Sequence, residues 1–336
     1  MIKIAINGFG RIGKCVLRSY FARKPEGVEI VAINAGFGNL PMDYHLFKYD
    51  STHGIFPGVK LIEGRGIEID GQFIPITYEP DATKLGWGNI GVDIVLECSG
   101  AFTKRDLAAK HLSAGAKKVM VSAPCDGADA TIVHRVNNQV LTADLEVISI
   151  GSCTTNCLAP VAKVLNDTFG IESGFMTTIH AYTNDQNLLD ANHKDLRRAR
   201  AAAVSMIPSS TGAAKALGLV LPELNGKLDG VAIRVPTPNV SLVDLKFTAS
   251  KNTTVQEINA AIKSAASGVM QGVLAIEEEE LVSVDFKGNP HSSIVDATQT
   301  KVVNGNFVRV ASWYDNEWGF SNRMIDVAIE WGNKLK

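Results

Sequence analysis

A glycine-rich turn directly after the first apolar run is the feature that most restricts how this chain can fold. The β-branched run from Ile2 to Ile6 leads straight into the motif Gly8-Phe9-Gly10-Arg11-Ile12-Gly13. In a βαβ unit the first glycine permits a tight turn, the second lets the backbone approach a pyrophosphate, and the third lets helix and strand pack closely. The helix N-terminus then faces the phosphates. The motif therefore predicts a dinucleotide-binding site in a Rossmann domain.

The rest of the first half repeats the alternation of strand and helix that is typical of a parallel sheet. Short β-branched runs predict further strands at 29–33, 92–96, 118–122 and 147–149. Apolar residues at helical spacing predict helices after Gly13 and over 105–112. Four glycines between alternating residues at 57–78 predict hairpins at the edge of the sheet.

The apolar pattern changes from about residue 170, and this change predicts a second domain. Alternation predicts strands at 175–179, 231–235, 240–248 and 307–313, with one helix at 255–266. We therefore predict an α/β protein with an N-terminal Rossmann dinucleotide-binding domain, formed by 1–151 and 317–336. An α+β catalytic domain with a mainly antiparallel sheet is predicted for 152–316. The last helix, at 322–334, is expected to pack on the first domain.

Composition narrows the possible functions. The 336 residues are 46% hydrophobic and 20% charged, and their formal net charge is −2. This balance excludes a disordered chain and offers no basic surface for nucleic acid or an anionic membrane. No apolar stretch reaches the roughly 20 residues that span a bilayer. Five cysteines, an odd number at low density, and a start without a secretory signal pattern predict a cytoplasmic protein with reduced thiols.

The end of the second strand bears on which nucleotide is bound. NAD-binding sites of this kind usually have an acidic residue there, which holds the ribose 2′-hydroxyl. This chain instead has Asn34-Ala35-Gly36-Phe37-Gly38. Without a carboxylate at Ala35, a 2′-phosphate meets no like charge, so the sequence permits NADP. The alternative is that Ala35 only fills space and that NAD is held by other residues.

A cysteine and a histidine form a candidate nucleophile and base. Cys153 follows a strand and starts an apparent helix, and a helix N-terminus favours an anion, so we expect the pKa of its thiol to be lowered. His180 ends a strand next to a polar loop, where an imidazole can serve as acid and base. The alternative for Cys153 is a small buried apolar residue. The histidines at positions 53, 111, 134, 193 and 291 are expected to be surface or capping residues.

Two further clusters could bind anions. One is the run Arg197-Arg198-Ala199-Arg200, and the other presents hydroxyls and a glycine at a helix start, Pro208-Ser209-Ser210-Thr211-Gly212-Ala213-Ala214-Lys215. The alternative for the arginine run is a solvated or subunit-contacting face. No set of cysteines and histidines has the spacing of metal ligands, so no metal site is predicted.

Several motifs together resemble the phosphorylating glyceraldehyde-3-phosphate dehydrogenases over essentially the whole chain. They are Asn7-Gly8-Phe9-Gly10-Arg11-Ile12-Gly13, Ser152-Cys153-Thr154-Thr155-Asn156-Cys157, Arg234-Val235-Pro236-Thr237-Pro238-Asn239 and Trp313-Tyr314-Asp315-Asn316-Glu317. The resemblance implies a homotetramer that oxidises glyceraldehyde 3-phosphate with inorganic phosphate and NAD or NADP, in glycolysis or gluconeogenesis. Departures at Ala35 and at Ala191-Asn192 resemble the NADP-using, gluconeogenic branch of that family.

The resemblance also implies a role for individual residues. Cys153 would attack the aldehyde and His180 would be the acid and base. Inorganic phosphate would meet Ser152, Thr154, Thr211 and Gly212, and the phosphate of the substrate would meet Thr183 and Arg198, with Arg234 between the two. The nucleotide would meet Gly8, Phe9, Gly10, Arg11, Ile12, Ala35, Ser122 and Asn316. Two alternatives remain open at this point: an erythrose-4-phosphate dehydrogenase, and a nucleotide-binding thiol redox sensor without turnover.

Overall fold

The computed structural model describes residues 1–335, which form two compact units. Residues 1–132, 138–151 and 321–335 form the first, and Val133–Asn137 with Ser152–Phe320 form the second. The sequence analysis had placed 133–137 and 317–320 in the first domain. Contacts of both segments explain the difference. Val133 and Val136 belong to the buried apolar cluster of the second unit, and Asp315 Oδ1 accepts from the backbone N–H groups of residues 317 and 318.

The first unit contains eleven strands and four helices before its C-terminal segment. The helices are α1 (Arg11–Arg23), α2 (Leu40–Lys48), α3 (Arg105–Ala108) and α4 (Lys110–Ser113). The strands are β1 (Ile2–Asn7), β2 (Val28–Asn34), β3 (Tyr49–Asp50), β4 (Gly54–Ile55), β5 (Lys60–Ile62), β6 (Gly66–Ile69), β7 (Gln72–Thr77), β8 (Ile94–Glu97), β9 (Lys118–Val121), β10 (Ala130–Thr131) and β11 (Val147–Ser149).

Nine of these strands form one sheet in the order β10-β11-β9-β8-β1-β2-β7-β6-β5. Strand β1 runs parallel to both β2 and β8, and α1 connects β1 to β2. Because the central strands are buried on both faces, most of their residues are apolar. This arrangement confirms the predicted Rossmann fold.

The edge of this sheet confirms the predicted hairpins. Strands β5, β6 and β7 pair antiparallel, and β7 joins β2 in parallel register, with Ile33 opposite Ile76. The helix predicted over 105–112 consists of two short turns, α3 and α4. Helix α2 was not predicted, although Asn39 caps it by accepting from the N–H of Met42 and a proline follows at its start.

The second unit is built on an eight-stranded sheet. Its helices are α5 (Cys153–Phe169), α6 (Ala213–Val220) and α7 (Val255–Ser267). Its strands are β12 (Ile171–Ala181), β13 (Ile207–Ser210), β14 (Leu228–Val235), β15 (Ser241–Ala249), β16 (Leu274–Glu277), β17 (Ser293–Asp296), β18 (Lys301–Val303) and β19 (Phe307–Tyr314). The order is β13-β14-β12-β15-β19-β17-β16, with β18 beside β19. Five of its seven strand pairings are antiparallel, which confirms the predicted sheet.

Three helices cover one face of this sheet and form the main core. Leu158 and Leu165 of α5, Leu217 of α6 and Ile262 of α7 pack in one buried cluster with sheet residues such as Phe247. The burial of this cluster fixes α5, and therefore Cys153 at its first position, against the sheet. Each such apolar side chain contributes roughly 1.5–3 kcal/mol when it is buried.

The last helix, α8 (Trp318–Asn333), begins in the second unit and continues into the first. In the first unit Trp331 donates to the Thr142 carbonyl oxygen, and Arg23 pairs with Asp326. These contacts agree with the expectation that the last helix packs on the first domain.

None of the helices within residues 1–335 has the length and apolar character needed to cross a membrane.

Candidate active site

Cys153 is the first residue of α5. Ser152 caps this helix, with its hydroxyl oxygen accepting from the backbone N–H of Thr155 at 3.1 Å. The cap holds the thiol at the positive end of a 17-residue helix, the position that the sequence predicted. Cys153 is partly buried, so a reagent can approach it, while Cys157 lies one turn later and is fully buried.

The position of His180 beside the Cys153 thiol follows from the pairing of strands β12 and β14. His180 lies near the end of β12, and the parallel register of β12 and β14 places it opposite Arg234. Its Nε2 is 3.5 Å from Cys153 Sγ. Its Nδ1 is 2.6 Å from the Ala181 carbonyl oxygen, which also accepts from Arg234 Nη1 at 3.0 Å. Nδ1 also lies 2.8 Å from Arg234 Nη1. In the tautomer with its proton on Nδ1, that proton is donated to the Ala181 carbonyl oxygen, and Nε2 is the acceptor for the thiol proton.

The charge states of this pair follow from burial. Burial, together with the positive charge of Arg234, lowers the pKa of His180 to about 3, so the imidazole is neutral at neutral pH. Burial also raises the pKa of the Cys153 thiol, although Arg234 and hydrogen bonds at Thr154 oppose this effect. The expectation of a lowered thiol pKa is therefore wrong for this structure, because desolvation outweighs the favourable charges. A neutral acceptor beside a protonated thiol is the arrangement that a general base requires.

A buried tyrosine that the sequence reasoning did not assign links the predicted phosphate residue Thr154 to the sheet. The hydroxyl of Tyr314 lies 2.9 Å from Thr154 Oγ1 and 2.8 Å from Thr178 Oγ1. Burial raises the pKa of Tyr314, so its hydroxyl stays protonated and can donate to one threonine while it accepts from the other. Alternation along β19 could have shown that Tyr314 points inward, because Val308, Val310 and Ser312 on the same face are buried.

Arg234 has unused capacity to bind an anion. Its Nη1 contacts His180 and Ala181, and no hydrogen-bond partner in the described part of the chain meets its buried Nε. A buried guanidinium nitrogen without a partner is costly, so an incoming oxyanion would satisfy it. Cys153, Asp185 and Arg198 all lie close enough to act on the charge of Arg234. Arg234 thus lies between the thiol and the second predicted phosphate position.

The residues predicted for that second position are present but are engaged with protein partners. Arg198 Nη1 pairs with Asp185 at 2.7 Å, and Nη2 donates to the carbonyl oxygen and the hydroxyl of Ser210 at 3.3 Å. The backbone N–H of Thr183 donates to Gln186 Oε1 at 3.0 Å. An anion that bound Arg198 would compete with Asp185, a partner that the sequence reasoning did not identify.

Thr211 and Gly212 lie at the start of α6. Gly212 is the N-cap, where no side chain satisfies the helix, and an added Cβ would meet nothing within 4 Å. Thr211 Oγ1 accepts from the backbone N–H of Ala213 at 3.2 Å. The start of α6 therefore has open space beside its N–H groups, which suits an oxyanion.

Asn316 is buried and fixed in the second unit. Its Oδ1 accepts from the hydroxyl of Ser241 at 3.1 Å, which leaves the amide nitrogen as the donor end. Ser241 also accepts from the backbone N–H of Ala181, directly after His180. Asn316 is therefore tied, through one serine, to the strand that carries the histidine.

The glycine-rich turn of the first unit has the shape that a bound pyrophosphate requires. Gly8 has φ +93°, and a Cβ there would lie 2.3 Å from the backbone nitrogen of Ser99. A Cβ at Gly13 would lie 2.1 Å from the Gly8 carbonyl oxygen, whereas one at Gly10 would meet nothing within 4 Å. The first and third glycines are thus required by close packing, and the space at the second fits the approach of a dinucleotide.

The remaining residues predicted to bind the nucleotide surround this turn. Phe9 is buried and stacks on Phe47, and Arg11 and Ile12 start α1, where Arg11 pairs with Asp50 at 2.6 Å. Ala35 follows β2, and its backbone N–H donates to the Thr77 carbonyl oxygen. Ser122 follows β9, and its backbone N–H donates to the Glu97 carbonyl oxygen. Ala35 and Ser122 therefore follow the carboxyl ends of parallel strands, where nucleotides bind in such sheets.

One histidine expected at the surface is instead fully buried. His111 Nε2 lies 2.9 Å from Glu97 Oε2, and His111 Nδ1 accepts from the indole N–H of Trp87 at 3.1 Å. The sequence reasoning missed this burial because α4 is only one turn long and its apolar spacing is short. His111 supports the sheet of the first unit and is not a surface or capping residue.

The Rossmann fold of the first unit, together with the cysteine–histidine pair of the second, is the arrangement of a dinucleotide-binding oxidoreductase. Two family models match: glyceraldehyde 3-phosphate dehydrogenase, NAD binding domain, over residues 2–105, and glyceraldehyde 3-phosphate dehydrogenase, C-terminal domain, over residues 152–316. The chain belongs to the glyceraldehyde-3-phosphate dehydrogenase family, and its first unit is an NAD-binding domain.

Curated relatives agree over nearly the full length. The chain is 59% identical over 331 residues to a glyceraldehyde-3-phosphate dehydrogenase of Xanthobacter flavus, with 98% of each chain covered. It is 57% identical over 334 residues to one of Cereibacter sphaeroides, with 99% of each covered. It is 55% identical over 328 residues to glyceraldehyde-3-phosphate dehydrogenase 1 of Bacillus subtilis strain 168, with 97% of each covered.

Proposed function

We propose that this protein oxidises D-glyceraldehyde 3-phosphate to 1,3-bisphosphoglycerate, with inorganic phosphate as co-substrate and NAD or NADP as cofactor. The observation that carries the proposal is the 3.5 Å contact between Cys153 Sγ, at the start of α5, and His180 Nε2, beside Arg234. The reaction is reversible and could serve glycolysis or gluconeogenesis.

The chemistry of the chain's own residues follows from this pair. The sulfur of Cys153 adds to the aldehyde carbon as its proton moves to His180 Nε2 and on to the new oxygen, which gives a hemithioacetal. His180 then takes the hydroxyl proton, while the bound nicotinamide supplies the acceptor for the hydride that leaves the same carbon. The product is a thioester on Cys153. A phosphate oxygen attacks its carbonyl carbon and the carbon–sulfur bond breaks, which releases the acyl phosphate. The departing thiolate takes the proton held by His180, so the thiol and the neutral imidazole are restored.

Two anion positions support the phosphorylating reaction. The first combines the N-termini of α5 and α6, with Ser152, Thr154, Thr211 and Gly212, and we assign inorganic phosphate to it. The second combines Thr183 and Arg198, and we assign the phosphate of the substrate to it. Arg234 is proposed to serve both, because its buried Nε has no hydrogen-bond partner within residues 1–335.

A steady-state assay of NADH or NADPH formation tests the reaction. We expect turnover of glyceraldehyde 3-phosphate to require inorganic phosphate and to stop when phosphate is left out. D-erythrose 4-phosphate is the control substrate, since a hydrolytic dehydrogenase would turn it over without phosphate. Equal rates with and without phosphate would contradict the proposal and would favour that relative.

We also propose that NADP is used at least as efficiently as NAD. The support is the absence of a carboxylate at Ala35 after β2, where like-charge repulsion would oppose a 2′-phosphate. The variant Ala35→Asp should lower kcat/KM for NADP and raise it for NAD, by about 1–3 kcal/mol in relative terms. The control is Ala35→Asn, which adds similar bulk without charge. A parent enzyme that strongly prefers NAD and does not respond to Ala35→Asp would contradict this proposal.

Two further proposals concern the setting of the protein. We propose a homotetramer, supported by a group of apolar side chains that are at least 75% exposed within 187–206: Leu188, Leu189, Leu196, Val204 and Met206. We propose a cytoplasmic location, supported by the thiols of Cys98, Cys125, Cys153 and Cys157, none of which is in a disulfide.

A further inference from the structure

Three polar side chains of the first unit, two of them buried and one half-buried, form a cluster whose role is not explained by the proposed catalysis. Lys14 of α1 donates from Nζ to the Phe9 carbonyl oxygen and to Asp43 Oδ1, the latter at 2.8 Å. The hydroxyl of Tyr78 donates to Asp43 Oδ2 at 3.1 Å. Lys14 is 6% exposed and Asp43 is 9% exposed, so their charges are largely removed from water. We call Lys14, Asp43 and Tyr78 the KDY cluster.

The KDY cluster joins three segments that surround the adenosine half of a dinucleotide in a Rossmann domain. Lys14 bonds the glycine-rich turn through Phe9. Asp43 lies in the first turn of α2, directly after the loop 35–38 that follows β2. Tyr78 follows β7, the strand whose last residue, Thr77, accepts a hydrogen bond from the backbone of the loop.

The acidic oxygen of the cluster lies against the loop beside the expected ribose 2′ position. A Cβ placed on Gly38 would be 3.7 Å from Asp43 Oδ2 and 3.9 Å from Tyr78 Cε1. The usual acidic residue at the end of β2 is replaced by Ala35. Asp43 and Lys14 are therefore the buried charges that the structure places beside this loop, and they neutralise each other.

We propose that the KDY cluster is a second determinant of nucleotide binding and selectivity. Its hydrogen bonds hold the glycine-rich turn, the start of α2 and the segment after β7 together around the loop 35–38, and the balance of its two charges sets the response to a 2′-phosphate. Loss of the Asp43 charge leaves the ammonium of Lys14 uncompensated and favours NADP. Loss of the Lys14 charge leaves the carboxylate uncompensated and disfavours NADP. Tyr78 is neutral and contributes position only. The inference rests on nucleotide binding by the first unit and not on the identity of the substrate.

Binding measurements on the full chain test this directly, without substrate. Dissociation constants for NAD and NADP are measured by isothermal titration calorimetry for the parent, Asp43→Asn, Lys14→Met and Tyr78→Phe. We expect Asp43→Asn to shift the ratio of the two constants toward NADP, and Lys14→Met to shift it toward NAD, each by about 3- to 30-fold. Tyr78→Phe should weaken both nucleotides by a similar factor and leave the ratio unchanged.

The double variant Lys14→Met/Asp43→Asn is neutral again and should bring the ratio back to that of the parent. It also keeps the test decisive if Lys14→Met alone does not fold because of its unpaired carboxylate. The control is Asp70→Asn, which removes one charge from the exposed ion pair of Lys24 and Asp70 in the same unit. Shifts of Asp43→Asn and the double variant in the same direction and by the same amount, or no shift in Asp43→Asn, would overturn the proposal. A purely structural role would lower the melting temperature of each variant without changing the ratio.

Discussion

Cys153 and Cys157 lie one helical turn apart and have the same functional group, yet their surroundings differ. Cys153 faces the neutral imidazole of His180 and is partly exposed. Cys157 is fully buried between Ser293 and the Ser312 carbonyl, and burial raises the pKa of its thiol to about 12. Reactivity at the residue scale is therefore decided by access and by a proton acceptor, rather than by the presence of a thiol.

Alkylation should distinguish these two cysteines. With iodoacetamide at neutral pH we expect Cys153 to be labelled before the other four cysteines, and activity to be lost in proportion, because its thiol is accessible and lies beside a base. Peptide mass spectrometry at successive times measures the order. The control variant Cys157→Ser should label at the parent rate. Loss of activity with label on Cys157 would contradict the assignment of the nucleophile.

The imidazole of His180 should contribute to the rate rather than to substrate affinity. We expect His180→Asn to lower kcat by roughly 10²–10⁴-fold, the usual contribution of a positioned acid and base, with little change in KM. Single-turnover measurement of hydride transfer separates chemistry from product release. His45→Asn, on the exposed face of α2, is the control. Unchanged single-turnover rates in His180→Asn would exclude a role as base.

Burial of a neutral His180 also makes stability depend on pH. The pKa of this group is about 3 in the folded protein against 6.5 for an ordinary histidine, so the unfolded chain binds the extra proton between these values. Above pH 6.5, His180 is neutral in both the folded and the unfolded chain and does not lower the free energy of unfolding. As the pH falls from about 6.5 toward 3, the unfolded chain gains a proton that the folded protein does not bind, so the free energy of unfolding decreases. Urea unfolding at pH 7 and pH 5 should show a smaller decrease for His180→Asn than for the parent. An equal decrease in both would contradict this linkage.

At the scale of secondary-structure elements, the register of two parallel strands creates the site. Strands β12 and β14 pair so that His180 lies opposite Arg234, and Ile207 of β13 lies on the other side of Arg234. A shift of one residue would turn either side chain to the opposite face of the sheet. The start of α5 then brings Cys153 to this place because the core packs α5 on the same sheet.

The shared position of Arg234 leads to a prediction about both phosphates. We expect Arg234→Leu to raise KM for inorganic phosphate and for the triose phosphate by at least about tenfold each, since a charge-assisted bond to an anion is lost. Arg234→Lys keeps the charge without the two-pronged geometry and should be intermediate. Initial-rate measurements with each substrate varied in turn provide the test. A change in only one of the two KM values would show that Arg234 serves a single anion.

At the scale of the whole molecule, the exposed apolar side chains of 187–206 are unusual for a chain that acts alone. The second sheet adds to them, because Phe175 and Val231 lie on strands of the sheet and are also exposed. Apolar surface of this extent is typical of a protein interface.

Light scattering after size-exclusion chromatography should therefore give a mass of about four times the 36.0 kDa of one chain. The double variant Leu188→Asp/Met206→Asp should lower this mass, because it introduces charge into the apolar segment. Leu219→Asp, on an exposed position of α6 outside that segment, is the control. A parent that elutes as a single chain at the concentration of the activity assay would contradict the homotetramer.

Much of this architecture could be predicted from the sequence because the signals are local. The glycine motif predicted the first turn, because at each of its positions a larger side chain would interfere with the turn, with nucleotide approach or with helix packing in the same βαβ unit. Period-two alternation predicted four of the strands of the second sheet, β12, β14, β15 and β19, but not β13, β16, β17 or β18. A cysteine at a helix start and a histidine at a strand end predicted the candidate pair that the structure brings together. Each of these signals lies within a single turn, strand or helix start.

The tertiary structure decided what depends on distant residues. Burial raised rather than lowered the pKa of Cys153, because desolvation depends on everything packed around the thiol. The hydroxyl of Tyr314 contacts that of Thr154, which is 160 residues away in the sequence. His111 is buried against Glu97 and Trp87. Lys14 pairs with Asp43, which is 29 residues away. No local sequence pattern predicts such pairs, because the interaction of the two side chains becomes strong only when the fold removes both of them from water. The sequence alone thus determined which groups are available for the chemistry, and the packing decided their charge, their partners and their access.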